Sequence, residues 1–167
     1  MRASRALHRP WLAPLTDAGF DRLLARVADE RHEPLLACRR ADGAIVGFFN
    51  LSEIVRGSLQ GAFLGYGAIA AHAGRGYMTE GMGLTLGHAV RGLRLHRVEA
   101  NIQPGNLASI ALARRCGFVR EGLSERYLKV GGHWRDHERW AIRAEQGRAG
   151  RGPACSWRPS RSRGRGG

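Results

Sequence analysis

The stretch LGYGAIAAHAGRGYMTEG, residues 64–81, decides how this chain is read. It begins inside an apolar, glycine-rich run, Ala62 to Ala70, with the composition of a buried strand. It ends in a helical pattern, Tyr77 to Leu93, with Met78, Met82, Thr85, Leu86, Ala89, Val90 and Leu93 on one face. Between the two lies His72-Ala73-Gly74-Arg75-Gly76-Tyr77. The glycines leave main-chain N–H groups bare just ahead of a helix N-terminus, which carries about half a positive charge. That arrangement suits a diphosphate, with Arg75 adding charge at the rim. The same residues also suit a plain strand-to-helix turn. Gly81, Gly83 and Gly87 each cost the helix about 1 kcal/mol relative to Ala. Their presence predicts either close packing on a sheet or a marginal helix.

Working outward, Asp17 to Ala28 carries Phe20, Leu23, Leu24 and Val27 at helical spacing, with Thr16 as N-cap. Pro34 to Arg39 and Ala44 to Leu51 read as strands joined by a turn at Ala41-Asp42-Gly43. Downstream, Arg97 to Ile102 is a strand broken by Pro104-Gly105. A helix runs from Asn106 through Arg115 and stops at Gly117. Val119 to Val130 and His133 to Ile142 form a hairpin around Gly131-Gly132. The order helix, hairpin, strand, helix, strand, helix, hairpin predicts an α/β (α+β) sandwich around a mixed sheet, not a doubly wound one.

The chain has 167 residues, enough for one domain. Basic residues number 27 against 14 acids, a net charge of +13, and Lys129 is the sole lysine. Residues 145–167 hold six Gly, six Arg and two Pro with little apolar content. Such a segment cannot offset the entropy of ordering it. We therefore expect a domain over 1–144 and a disordered Arg/Gly-rich tail over 145–167. The tail could meet RNA or another phosphate-rich surface weakly. No apolar run reaches the length of a membrane span, and the N-terminus MRASRALHRPW has no apolar stretch of signal-peptide length. Three widely spaced cysteines, Cys38, Cys116 and Cys155, make neither a disulfide framework nor a zinc site. A reduced, cytoplasmic protein without metal is expected.

Several chemistries drop out. A Walker-type loop needs a lysine after glycine, and Lys129 follows Leu128. Gly65 to Ala70 matches G-x-G-x-x-A, but no helix opens there and no acid follows about 20 residues on. There is no G-x-S-x-G elbow. His133 and His137 share a strand face without a third ligand, so a structural or exposed pair outweighs a metal site. Asn106-Leu107-Ala108-Ser109 opens the second long helix. Asn106 as a cap for the Ser109 amide is one reading, and the Ser109 hydroxyl placed beside a reacting group is the other.

At these residues the chain resembles the Gcn5-related N-acetyltransferase (GNAT) superfamily, in particular its RimJ/RimL type, the ribosomal-protein-alanine N-acetyltransferases. The resemblance rests on residues 64–81, on HRVEANIQPGNLASIALARRCGFVREG (96–122) and on YLKVGGHWRDHERWAI (127–142). It implies the GNAT fold and acetyl-CoA as donor. The backbone from His72 to Tyr77, including Ala73, Gly74, Arg75 and Gly76, would cradle the diphosphate. Two neighbouring strands would splay, freeing backbone groups of Gly67, Ala68 and Ile69 for the pantetheine arm. Asn106 would touch that arm and Ser109 would sit by the sulfur. The implied reaction is direct attack by a neutral amine, with a backbone N–H holding the oxyanion.

The chain departs from the family in three places. It opens at RASRALHRPW, like the end of the family's first helix, so an N-terminal strand is expected to be missing or to lie upstream. Ala71 stands where a Pro or polar residue often introduces the phosphate loop. Leu128 stands where the RimL type has a glutamate base. Glu99, on the central strand, could activate a water or simply be a paired strand residue, and Tyr127 is a weaker candidate. The acceptor is expected to be a primary amine, foremost a ribosomal-protein N-terminus. The alternatives are a small amine, or a non-catalytic basic RNA-associated module. Arg2 to Trp11 and Glu53 to Gln60 are expected on the acceptor side, in a monomer or homodimer.

Overall fold

The structure is a computed structural model that describes residues 4–12, 21 and 26–148. Strands β1 (Glu33–Cys38), β2 (Ile45–Val55) and β3 (Gly61–Ala68) form a meander. Helix α1 (Arg5–His8) precedes them, and α2 (Tyr77–Arg91) follows. Then come β4 (Arg97–Ile102), α3 (Leu107–Arg115), β5 (Val119–Val130), β6 (His133–Arg143) and α4 (Ala144–Arg148). Among the described residues the strands make one sheet in the order β1-β2-β3-β4-β6-β5. Only the β3–β4 pair is parallel, because the α2 crossover joins those two strands. This is the mixed α+β sheet that the element order predicts.

Alternation sorts the strands into two faces. Val98, Ala100 and Ile102 of β4 are buried, and register sets Ala100 beside buried Trp140 of β6. On the other face, register sets Asn101 beside Arg139, and alternation adds Glu99 and His137. Helices α2 and α3 cover the first face. Met82, Leu86 and Ala89 of α2 and Ile110, Leu112 and Ala113 of α3 join Phe49, Leu51 and Val98 in one core. Each large side chain buried there stabilises the fold by about 1.5–3 kcal/mol. Gly81 shows why α2 tolerates glycine. A Cβ there would lie 2.7 Å from Phe49 Cε2, so the helix approaches the sheet too closely for a side chain.

Helix α3 ends in a Schellman turn, with Gly117 N–H donating to the Arg114 carbonyl and Phe118 N–H to that of Ala113. Its aliphatic core residues sit beside a cation–π contact, Arg114 over Trp140 at 5.3 Å.

Several boundaries differ from expectation. Strand β2 runs on to Val55, and β3 stops at Ala68 because Ala70–His72 winds into a 3₁₀ turn. Helix α2 stops at Arg91, where Gly92 N–H caps the His88 carbonyl. The helix expected over Asp17 to Ala28, with its Thr16 cap, lies mostly outside the described residues; Arg26–Ala28 is a 3₁₀ turn. The expected tail also begins too early. Residues 145–148 belong to α4, where Ala144 N–H donates to the His96 carbonyl at 2.8 Å and Glu145 pairs with His96 Nε2 at 2.8 Å. The remainder of the tail lies outside the described residues.

Candidate active site

Strands β3 and β4 pair at Gly61–Arg97, Ala62–Val98 and Phe63–Glu99, and no further. Beyond Phe63 they splay. The ends of β3 and β4, the loop before α2 and the first turn of α3 then enclose a cleft of about 520 Å³.

Which main-chain groups face that gap follows from the β2–β3 ladder. Ile69 N–H donates to Val46 O at 2.9 Å. Antiparallel bonding alternates, so Gly67, opposite Phe48, also turns its main-chain groups toward β2. Ala68, Tyr66 and Leu64 turn theirs toward the gap. Of the three residues expected to offer backbone there, only Ala68 does so. Gly67 lines the cleft without offering it main-chain groups, and the Ile69 N–H is spent on β2. The Ala68 carbonyl is met by His8 Nε2 at 2.9 Å.

His8 belongs to an N-terminal strap across the splay. Ala70 N–H donates to Ser4 Oγ at 3.0 Å, Gln103 Nε2 donates to the Trp11 carbonyl at 3.2 Å, and the Trp11 ring lies against Gly105. Leu7, His8 and Trp11 line the cleft. The 53–60 segment does not. It forms the end of β2 and the β2–β3 connection, at the far end of β3, and lines no part of the cleft.

The loop 72–77 also lines the cleft. Gly74 and Gly76 have φ of 76° and 84°, the left-handed region that favours glycine, and a Cβ at either would meet nothing within 4 Å. Among the described residues, the N–H groups of residues 74–78 have no main-chain acceptor, while Gly76, as N-cap, accepts from Thr79 and Glu80. These bare donors point the positive end of a 15-residue helix at open space. Arg75 and Arg115 line the rim, and Arg115 Nη1 donates to Thr79 Oγ1 at 3.3 Å. The His72 ring stands edge-on to Tyr77 at 6.3 Å with its Nδ1 buried and unpartnered.

On α3, Asn106 caps the helix, its Oδ1 accepting from Ser109 N–H at 3.2 Å. The capping reading thus holds, and Ser109 and Asn106 also line the cleft. The Ser109 carbonyl accepts from the Tyr66 hydroxyl at 3.1 Å. Burial pushes the Tyr66 phenol well above its ordinary range, against a smaller opposing effect of the Ser109 bond, so it stays a neutral donor.

Glu99 does not join this constellation. It accepts from Arg97 Nε at 2.7 Å on the face away from the helices and does not line the cleft; Arg97 also pairs with Glu121. It is the paired strand residue of the alternative reading. Tyr127 does not line the cleft either; its ring stands edge-on to His137 at 6.4 Å. His137 itself, taken from sequence only as half of a histidine pair, lines the cleft with Asn101, while its partner His133 is exposed. Alternation along β6 was the available signal, but only the sheet order shows that this strand borders the splay.

A mixed sheet splayed beside a glycine nest at a helix start defines a class of fold, and known proteins share it. Residues 1–119 match the model of the acetyltransferase (GNAT) domain, and the chain belongs to that family. It is 41% identical over 102 residues to the probable N-acetyltransferase YjcK of Bacillus subtilis, an alignment covering 61% of this chain and 56% of that protein. It is 39% identical over 93 residues to the [ribosomal protein uS5]-alanine N-acetyltransferase of Escherichia coli, covering 56% and 48%. The chain spans about half the length of these curated relatives.

Among solved structures, Mycobacterium smegmatis RimJ in complex with CoA-disulfide superposes with a TM-score of 0.77 at 30% identity, over 87% of this chain and 74% of that one. Spermidine N-acetyltransferase from Vibrio cholerae, in complex with CoA and spermine, shares the fold at a TM-score of 0.74 and 19% identity, over 86% of each chain. No helix among the described residues is long and apolar enough to cross a membrane.

Proposed function

We propose that the protein is an N-acetyltransferase that moves an acetyl group from acetyl-CoA to the α-amine of a protein N-terminus, by direct attack in a ternary complex. One observation carries the reading: the unpartnered N–H groups of residues 74–78 and the splayed edge at Ala68 and Tyr66 open into the same cleft. The first suits a diphosphate and the second an extended amide arm, the two parts of coenzyme A that precede its sulfur. Ser109 and Asn106 would lie along the arm's path. The bound donor supplies an acyl thioester. The amine nitrogen forms a bond to the acyl carbon and the C–S bond breaks. One amine proton leaves to a base, and the thiolate takes a proton, with Ser109 as the donor in this reading.

The wall favours an α-amine. Among its described residues there is no Asp or Glu, while His8, His72, His137, Arg75 and Arg115 contribute to it. A polyamine carrying several charges finds no counter-charge there. An α-amine, with pKa near 7.7–8.0, costs only about 1–1.4 kcal/mol to neutralise at pH 7, against about 4.6 for a lysine ε-amine. A site without a carboxylate base suits the first. The uS5-alanine acetyltransferase relative supports the same acceptor class.

The experiment compares three acceptors by release of CoA thiol: a peptide with a free N-terminal alanine, an Nα-blocked lysine peptide, and spermidine. The reading expects turnover with the first and little with the others. Turnover confined to spermidine would replace the peptide by a small amine. No thiol release with any amine, from protein that binds acetyl-CoA, would count against transfer itself.

A further inference from the structure

We infer that His137 is the group that takes the proton from the acceptor amine. The inference rests on the acetyl-transfer reading and supplies the base that neither Glu99 nor the residue at Leu128 provides.

His137 sits on β6 with only 3% of its surface exposed, yet it forms part of the cleft wall. Its Nδ1 lies 2.9 Å from the Arg135 carbonyl. A carbonyl only accepts, so Nδ1 carries the hydrogen and the neutral ring keeps its lone pair on Nε2. Nε2 has no hydrogen-bond partner among the described residues and is absent from the sealed, unsatisfied atoms of the interior. A ring fixed by one nitrogen, with the other left basic at the edge of a cleft, is the arrangement of a positioned general base.

Asn101 adds an independent observation. It lies on β4 in register with Arg139, two residues from His137 on the same sheet face, and it too lines the cleft. Its Oδ1 is buried without a hydrogen-bond partner. Asn101 Oδ1 is itself sealed, so the open acceptor on this face of the splay is His137 Nε2, which fits a ligand that brings an N–H donor, as an ammonium does. The face they share lies opposite α3, so an amine held there and a thioester sulfur beside Ser109 would meet across the gap. The groups that face the His137 ring carry no negative charge. The ring meets that of Tyr127 of β5 edge-on, the neutral amides Asn101 and Gln103 and the His8 ring share the cleft wall with it, and the described wall holds no Asp or Glu. The first proton moves from the ammonium to Nε2, giving an imidazolium held by the Arg135 carbonyl, and the second, released as the C–N bond forms, passes to the departing thiolate by way of Ser109. The first returns to solvent after the acetylated amine departs.

His137→Asn is the decisive variant. The asparagine amide reproduces the donor to the Arg135 carbonyl and removes the Nε2 lone pair. The expected result is a kcat lowered ~10²- to 10⁴-fold with the acetyl-CoA thermal shift intact, and a changed pH profile of kcat. An unchanged rate and profile would overturn the assignment. A wild-type protein without an acetyl-CoA shift would instead overturn the transfer reading beneath it. Should the variant not fold, carbethoxylation of wild-type protein decides, mapped by mass spectrometry. Inactivation that tracks modification of His137 and is slowed by the acceptor peptide supports the role. Activity that survives modification, or a His137 that is never modified, overturns it.

Discussion

The Tyr66 hydroxyl donates to the Ser109 carbonyl at 3.1 Å and so ties the splayed end of β3 to the first turn of α3. Ser109 is already held from the other side, because its amide donates to Asn106. A residue fixed at both its N–H and its C=O has its Cα and Cβ held in place at the cleft wall. Tyr66→Phe should remove one clamp at a cost of about 1 kcal/mol in denaturant unfolding, and should lower kcat more than it changes the acceptor KM. An unaltered kcat would show that the clamp serves stability alone.

Ser109→Ala leaves the cap intact, since the Asn106 bond runs to the main-chain amide. A thiolate is already a fair leaving group, so donation of a proton to it contributes modestly. Turnover should fall ~10- to 100-fold, with the acetyl-CoA thermal shift preserved. An unchanged rate would reduce Ser109 to a helix-start residue.

Acid should loosen the outer strands of the sheet. Glu121 is held below the ordinary carboxylate range, first by its hydrogen bonds to Arg97 and then by the neighbouring charges of Arg97, Arg143 and Arg139, against a desolvation cost. A depressed folded pKa contributes stability that is present above the unfolded value, near 4.3, and is lost as the pH falls below it. The pair is partly exposed, so its worth is a few tenths to about 1 kcal/mol. Thermal midpoints should therefore drop on going from pH 5 to pH 3, with a shallower drop in Glu121→Gln. Equal slopes would mean that other carboxylates carry the acid sensitivity.

Much of this was legible before any coordinates. The apolar run, the two glycines and the helical face of residues 64–81 specify strand, nest and helix through local chemistry. Asn106 and Gly117 marked the two ends of α3 for the same reason. What escaped depends on partners distant in sequence. Whether Gly67, Ala68 or Ile69 faces the gap is a matter of ladder phase, set by pairing with β2. Glu99 reads as a base that activates a water or as a paired strand residue until Arg97 and Glu121 are seen beside it. His137 looks like half of an exposed pair until β6 is found next to β4 at the open end of the sheet. Residues 145–148 have a tail's composition, yet His96 gives them something to hold.

The nest is the claim on which the rest depends, and isothermal titration calorimetry with acetyl-CoA tests it most directly. Gly76→Ala should cost the free protein about 1–2 kcal/mol through its positive φ, and Gly76→Glu should add a negative charge where the diphosphate would lie. The account predicts one-to-one binding heat for the wild-type protein, weakened by the first substitution and abolished by the second, with both variants folded. Folded wild-type protein that gives no heat, or a Gly76→Glu variant that binds as the wild type does, would contradict it.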